Sequence, residues 1–544
     1  MIGSGSPGIA RLEKSQDMRN SSRRVTRGCA WIIAVSVLPL FAACSGSAGS
    51  DLPATGTAFG SPAAPPGPVE RPEAMAPGAA AVAPATTAGQ GTPPTEGNPT
   101  GIGVAPSNPE APGQAATAPA PPATAPPAAP PPAAPPPAAL PPAGPDGPVA
   151  PPGTGTFGQQ TPGGRGGAVI RVTTLNLTGP GSLSAALATP GPRIIVFEVG
   201  GNIDLAQGRI SVREPFVTIA GQTAPSPGIS FIRGGMRVLT HDVRIEHLRV
   251  RMGDAGAAVG AGFEPDVTTD GAEAHDIVFN HVSVAWGVDE NLSVSGPRFD
   301  GAAATSRSVT IQNSIIAEGL LNSVHEKGAH SMGTLIHDYC SDVAVVGNLY
   351  AHNNERNPWF KGFATGVIVN NVVYDPGRWA IRLGAVLNEW TDSGITPEGP
   401  RVSVVGNVLL HGADTPPERE FVGSNSNGSA FLEDNLAFDR AGAPALVAGA
   451  TVELLNERPS WPLGLIALPA SAVLERVLAS AGARPKDRDV VDQRIVADVR
   501  ARSGRIIDSQ DEVGGYPMAA ATRRSLDVPA DVDGWLRTLA AELE

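Results

Sequence analysis

Between residues 242 and 410 apolar and polar positions alternate with period two in six stretches. They are DVRIEHLRVR from 242, DIVFNHVSVA from 276, SVTIQNSIIA from 308, DVAVVGNLYA from 342, GVIVNNVVYD from 366 and RVSVVGNVLL from 401. Each reads as an apolar strand, a polar or glycine step that often contains Asn, and a second short strand. The stretches recur every 24 to 35 residues, with turns rather than amphipathic helices between them. That recurrence predicts an all-β solenoid, a right-handed parallel β-helix. Asn280, Asn313, Asn348, Asn371, Asn407 and Asn435 are then expected near coil corners, where Asn tolerates left-handed φ and stacked amides hydrogen-bond from coil to coil. An antiparallel sandwich is the rival architecture, but it leaves the repeated Asn without a role.

A solenoid needs its ends covered, because open strand edges invite pairing with other chains. Ser182 opens a short helix-like run, SLSAALA, and is expected to start a helix that caps the first coil. Beyond residue 465 the apolar period changes to about 3.6 in ASAVLERVLASAGA and VDGWLRTLAAELE, which predicts helices over the far coils or along the outside. The β-helix is accordingly drawn over 161–445, and an extension with helices packed on it over 446–544.

Upstream the pattern disappears. From 44 to 160 the chain is Pro, Ala, Gly and Thr with hardly an aromatic, a composition that cannot bury a core and tends to polyproline II. It is expected to be a disordered spacer. Before it, Arg19, Arg23, Arg24 and Arg27 precede an apolar run from Ala30 to Ala43, the pattern of an export signal over 1–43 whose translation start is Met1 or Met18. The run is too short and wrongly flanked for a membrane span. Its ending, LFAAC, resembles a bacterial lipobox, which makes Cys44 the lipidated first residue of the mature chain. The expected location is therefore a cell surface or outer membrane, reached through an N-terminal lipid anchor. An ordinary cleavage nearby, releasing a secreted protein, is the alternative.

With Cys29 inside the signal and Cys44 at its end, Cys340 is left alone, so no intramolecular disulfide can staple the mature domain. Cys340 is expected to be a small buried hydrophobe. A net charge of -13 excludes a nucleic-acid binder held by bulk electrostatics. An anionic ligand would instead need locally placed cations or a bridging metal. Such cations occur in NNERNPWFKG, residues 353–362, where Arg356 and Lys361 sit five apart across an Asn-Pro turn and can converge on one anion. Lysine is otherwise almost absent: Lys14, Lys327 and Lys486 are the others, so two compact ammonium groups fall in the central region.

Several longer strings carry a family resemblance: GGRGG at 163–167, VTTLNLTGPGSLSAAL, GPRIIVFEVGGNIDL, TIAGQTAP at 218–225, NHVSVAWGVDEN at 280–291 and RNPWFKG at 356–362. Together they make the region from about 163 to 520 similar to an extracellular pectate lyase of polysaccharide lyase family 1. The resemblance implies a parallel β-helix that cleaves polygalacturonate, or a related acidic polysaccharide, by β-elimination with Ca2+. It places Arg356 at the proton abstractor and Lys361 at the residue that holds a substrate carboxylate. Asp266 falls on the first calcium ligand, while Asp289 and Glu290 compete for the later positions. Lys327 is a third cation for the substrate site, with Met332 as the competing equivalent. A monomer is expected.

The chemistry stands without the resemblance. Eliminating a 4-linked uronide means removing the proton α to a carboxylate, and the resulting dianion must be stabilised. Asp266, Asp289 and Glu290 lie on successive repeats, so a solenoid can bring these oxygen ligands together for a hard cation. A guanidinium base needs its charged form disfavoured, which predicts an alkaline optimum. A zinc reading of HEKGAH is set aside, since His325 and His330 are five apart and a helical HExxH site needs four. A polygalacturonase on the same fold would hydrolyse with paired carboxylates and water, but the chain shows no clustered Asp pair. A surface protein that binds acidic glycans without cleaving them is the non-enzymatic rival.

Overall fold

The computed structural model describes residues 155–544; the signal, Cys44 and the spacer up to residue 154 lie outside the described residues. Strands of successive repeats pair in parallel and in register along three faces. The first face runs from Ala168–Val172 to Glu453–Leu454, the second from Val199–Asp204 to Leu436–Phe438, and the third from Arg209–Val212 to Val422–Ser424. Val309, Val343, Gly366, Val402 and Ala430 show the register of the first face, one residue per coil. The architecture is a right-handed parallel β-helix. Among the described residues the antiparallel pairing of named strands is confined to Thr522–Arg523 against Val199–Asp204, which disposes of the sandwich.

The corner between the first and second faces is a column of left-handed residues: His247, His281, Asn313, Gly347, Asn370, Gly406 and Asp434 have φ between 49° and 69°. These are residue types that reach this region at low cost. The position expected for the repeated Asn is therefore corrected by one residue, since of the six only Asn313 is left-handed. Asn348, Asn371, Asn407 and Asn435 follow the corner and point inward as a ladder. Asn348 Nδ2 donates to Asn371 Oδ1 at 3.0 Å, Asn371 Nδ2 to Asn407 Oδ1 at 2.9 Å, and Asn407 Nδ2 to Asn435 Oδ1 at 3.0 Å. Each amide oxygen also accepts the backbone N–H of the preceding rung's Asn, so the ladder satisfies main-chain groups that the turn strips from the sheets.

Helix α1, Leu183–Leu187, is capped by Ser182, whose Oγ accepts from the Ala185 N–H, and it buries Leu183, Ala186 and Leu187 in the main core. The C-terminal helices lie along the outside. In α2, Ala470–Ser480, Val473 and Val477 pack with Ile315, Leu349, Val372 and Val408 of the second face, and α3, Val490–Ala501, joins the same cluster through Val491, Ile495 and Val499. A buried ion network pins α3: Arg251 reaches Asp492 Oδ1 at 2.6 Å and Asp489 Oδ1 at 3.1 Å. In α4, Val532–Leu543, Leu536 packs with Ile194, Val196 and Ala220 of the early coils. Phe157, in the stretch that composition assigns to the spacer, already packs on the first face beside the cluster of Val346 and Val367, because its ring finds apolar surface there.

Candidate functional site

The third face lines the cleft that gathers the residues singled out in the sequence. Its strands are short, Leu292–Ser295, Leu335–Ile336, Trp359–Phe360 and Ile381–Leu383, and the loops just before them project side chains into one cleft. Parallel bridges join Glu290 to Met332 and Met332 to Glu355, so these three residues form one row across successive coils. Asp266 precedes Val267, which pairs with Leu292, and so lies one coil back and one rung from Glu290. The register thus brings Asp266, Asp289, Glu290, Lys327, Arg356 and Lys361 to the wall of a single cavity of about 550 Å³. Lys327 is exposed at its rim. Met332 is buried in the row between two carboxylates.

The 353–362 loop is held from beneath by a buried amide network. Asn291 Nδ2 donates to Asn353 Oδ1 at 3.0 Å, Asn353 Nδ2 to Asn357 Oδ1 at 3.1 Å, and Asn357 Nδ2 to the Trp379 carbonyl at 3.0 Å. The Asn357–Pro358 peptide is cis, and Arg356 itself is left-handed at φ 65°. Its backbone passes so close to Gly333 that a Cβ there would meet the Arg356 carbonyl oxygen at 2.5 Å. The Arg356 side chain contacts Glu290 and lies 3.7 Å from Asp289 Oδ1. Burial pulls its guanidinium down to about 10, helped by Arg382 and opposed by Asp289.

Trp359, on the next strand, organises the cations. The heads of Arg382, Arg356 and Lys361 lie 3.8, 5.3 and 5.3 Å from its ring centroid. Lys361 is nearly buried, with Nζ 2.6 Å from Glu389 Oε2 and 3.2 Å from Asp338 Oδ2. Arg298 reaches the same two carboxylates, at 2.7 and 3.2 Å. For Asp338, burial works upward but is outweighed by the His337 hydrogen bond and the Lys361 charge, which hold its carboxyl at about 2. Arg382 is paired with Glu355 at 2.6 Å. The sequence reading gave no role to Glu355 and Trp359, although both lie within the 353–362 stretch, and it missed Arg298, Arg382 and Glu389, which lie outside that stretch.

On the acidic side, burial pushes the Asp266 carboxyl up to about 6, with Arg209 and Arg237 pulling down and Asp289 pushing up. Asp266 Oδ1 lies 3.3 Å from Arg209 Nη2, and Glu290 Oε1 is held against the Arg356 guanidinium. His325 and His330, set aside on their spacing, stack ring on ring beside Asp289, with centroids 3.4 Å apart. They sit on a loop, so the helical spacing rule does not govern them. Cys340 is buried, with its thiol donating to the Val294 carbonyl at 3.3 Å and its pKa raised by burial.

No family model matches the chain. Among curated sequences it is similar to a probable pectate lyase C of Aspergillus oryzae, 34% identical over 398 residues, covering 71% of this chain and 85% of the relative. A probable pectate lyase C of Aspergillus terreus is 32% identical over 398 residues, covering 71% and 83%. Among solved structures, a Bacillus subtilis pectate lyase aligns with a TM-score of 0.42 at 12% identity, covering 61% of this chain and 97% of that one. The cedar pollen allergen jun a 1 aligns with a TM-score of 0.42 at 17% identity, covering 60% and 92%. The assignment rests on the fungal relatives: with 34% identity sustained over 71% of its length, this chain belongs to the pectate lyase family.

Proposed function

We propose that this protein, a polysaccharide lyase of the pectate lyase family, cleaves α-1,4-linked polygalacturonate by β-elimination. In this reading Arg356 takes the proton from the carbon next to the uronate carboxylate, the C4–O bond to the leaving sugar breaks, and a C4–C5 double bond remains. The observation that carries it is the cleft that gathers the Arg356 guanidinium with Lys361, Arg298 and Arg382 beside the acidic residues; desolvation there lowers Arg356 to about 10. The neutral form that accepts a proton then grows about tenfold per pH unit below that value, which gives an alkaline optimum. Lys361 holds the substrate carboxylate: its partner Glu389 is about one-third exposed and can give way to a uronate, while buried Asp338 keeps the ammonium in place. Arg298, already on Glu389, is placed to share that load. Lys327 at the rim meets a carboxylate on a neighbouring sugar.

Asp266, Asp289 and Glu290 are the residues proposed to hold Ca2+. Their donor set is all oxygen and lines one wall of the cleft, which suits a hard cation. Bound by these residues, Ca2+ would supply positive charge that stabilises the developing enolate. Export by the 1–43 signal, lipidation of Cys44, tethering by the Pro/Ala-rich spacer and a monomeric state complete the proposal. Ultraviolet absorbance on polygalacturonate, with and without chelator, tests the reaction. Elimination leaves an absorbing unsaturated uronide, whereas hydrolysis or simple binding leaves none. Chain shortening without that absorbance would select a hydrolase, and no shortening would select a non-catalytic glycan binder.

A further inference from the structure

We propose that Asp289, His325 and His330 form a binding site for a divalent transition-metal ion of the zinc class on the wall of the cleft. One Asp oxygen and one ring nitrogen from each His lie within 4.8 Å of one another, and these three residues are the one such group among the described residues. Asp289 Oδ1 is 3.9 Å from His325 Nε2 and 3.8 Å from His330 Nε2. The second, independent sign of a ligand is His325 Nε2 itself, which belongs to a side chain only 1% exposed and has no hydrogen-bond partner. A buried ring nitrogen left unpaired beside a carboxylate is costly unless something fills the gap.

The outer partners point the same way. His330 donates Nδ1–H to the Gly328 carbonyl at 2.8 Å, which leaves the lone pair on Nε2. His325 Nδ1 lies 3.1 Å from Glu264 Oε1, the carboxylate–imidazole pairing that makes Nε2 a better ligand. The Lys327 amide, 3.0 Å from the same Nδ1, competes by favouring the other tautomer, and a cation at Nε2 decides the competition for Glu264. Two parallel rings cannot both aim an in-plane lone pair at one ion. Binding therefore turns His330, the more exposed ring with one local hydrogen bond, out of the stack. Two imidazoles and a carboxylate favour borderline ions such as Zn2+ or Co2+ over calcium, which takes oxygen. Asp289 is shared with the calcium site proposed above, so calcium in excess competes; the metal site itself does not depend on the lyase reading.

The test is a Co2+ titration of the metal-free full chain, followed by the visible absorption of the bound ion. The wild type is expected to take up one Co2+ per chain, with bands that Zn2+ abolishes. His330→Gln should weaken uptake by at least tenfold, and Glu264→Gln by about 10- to 100-fold through the outer partner. An unchanged metal-free melting temperature shows that His330→Gln is folded. Asp266→Asn should leave Co2+ uptake intact while weakening calcium binding, which separates this site from the calcium proposal. Wild-type uptake no tighter than that of His330→Gln, or Asp266→Asn weakening Co2+ as much as His330→Gln does, overturns the proposal.

Discussion

Replacing Asn371 with Ala should remove one rung of the ladder that joins the coils. The wild-type amide donates to the Val345 carbonyl at 2.9 Å, the Val369 carbonyl at 3.1 Å and Asn407 Oδ1 at 2.9 Å. Its oxygen accepts the Asn348 backbone N–H at 2.9 Å and Asn348 Nδ2 at 3.0 Å. After truncation the Asn348 N–H is left unpaired in the core, which costs about 1–3 kcal/mol, and the remaining bonds add about 0.5–1.5 kcal/mol each where nothing replaces them. A loss of about 3–5 kcal/mol is expected, a large share of a typical domain's stability. Asn435 makes the same kinds of bond at the half-buried end of the ladder, where water can substitute, so Asn435→Ala should cost about 1–2 kcal/mol. Urea denaturation followed by far-ultraviolet circular dichroism measures both. A loss under about 1 kcal/mol for Asn371→Ala, or an equal loss for Asn435→Ala, refutes the view that the ladder's worth lies in satisfying buried main-chain groups.

Three further outcomes are expected. Gly333→Ala drives a Cβ to 2.5 Å from the Arg356 carbonyl oxygen, so it should lower turnover strongly with little change in the melting temperature; wild-type kinetics would show that the loop tolerates the shift. Asp338, held at about 2 against an ordinary 3.8, contributes stability that is fully present above pH 4 and lost as pH falls through 2, about 2.5 kcal/mol in all. Lys361→Met removes part of that downward pull and should move the acid-unfolding midpoint to higher pH, which an acid titration by circular dichroism checks; an unmoved midpoint contradicts the pairing. Asp266→Ala and Glu290→Ala should each raise the calcium needed for half activity, and unchanged calcium titrations would make the carboxylates a mere acidic lining.

What the sequence disclosed follows from what a solenoid repeats. The first and second faces were legible because strands such as 308–317 and 342–351 alternate over enough residues to show period two, and the polar step between them marks the corner. The third face was not, since Leu335–Ile336 and Trp359–Phe360 are two residues long and carry no period at all. Helix α3 escaped notice because charged residues interrupt its apolar positions, and Arg251 rather than apolar burial alone anchors its start. Within the site, Arg356 and Lys361 were visible because one loop carries both. Arg382, Glu389 and Arg298 reach them only through the register of coils far apart in sequence. The stacking of His325 on His330 was not legible for a related reason: a helical spacing rule does not describe residues that fold as a loop, where five positions suffice to stack two rings.

The central claim is that Arg356 is the proton acceptor, and steady-state formation of unsaturated uronide by Arg356→Lys tests it most directly. The substitution keeps a positive charge in the cleft but shortens and narrows the head, and a displacement of about 1 Å at the acceptor is enough to cost about 100-fold. With calcium in excess at alkaline pH, the account predicts at least that loss in kcat with a KM close to wild type, because Lys361 and Arg298 still hold the substrate. Near-normal turnover by Arg356→Lys would contradict it and move the base elsewhere in the cleft.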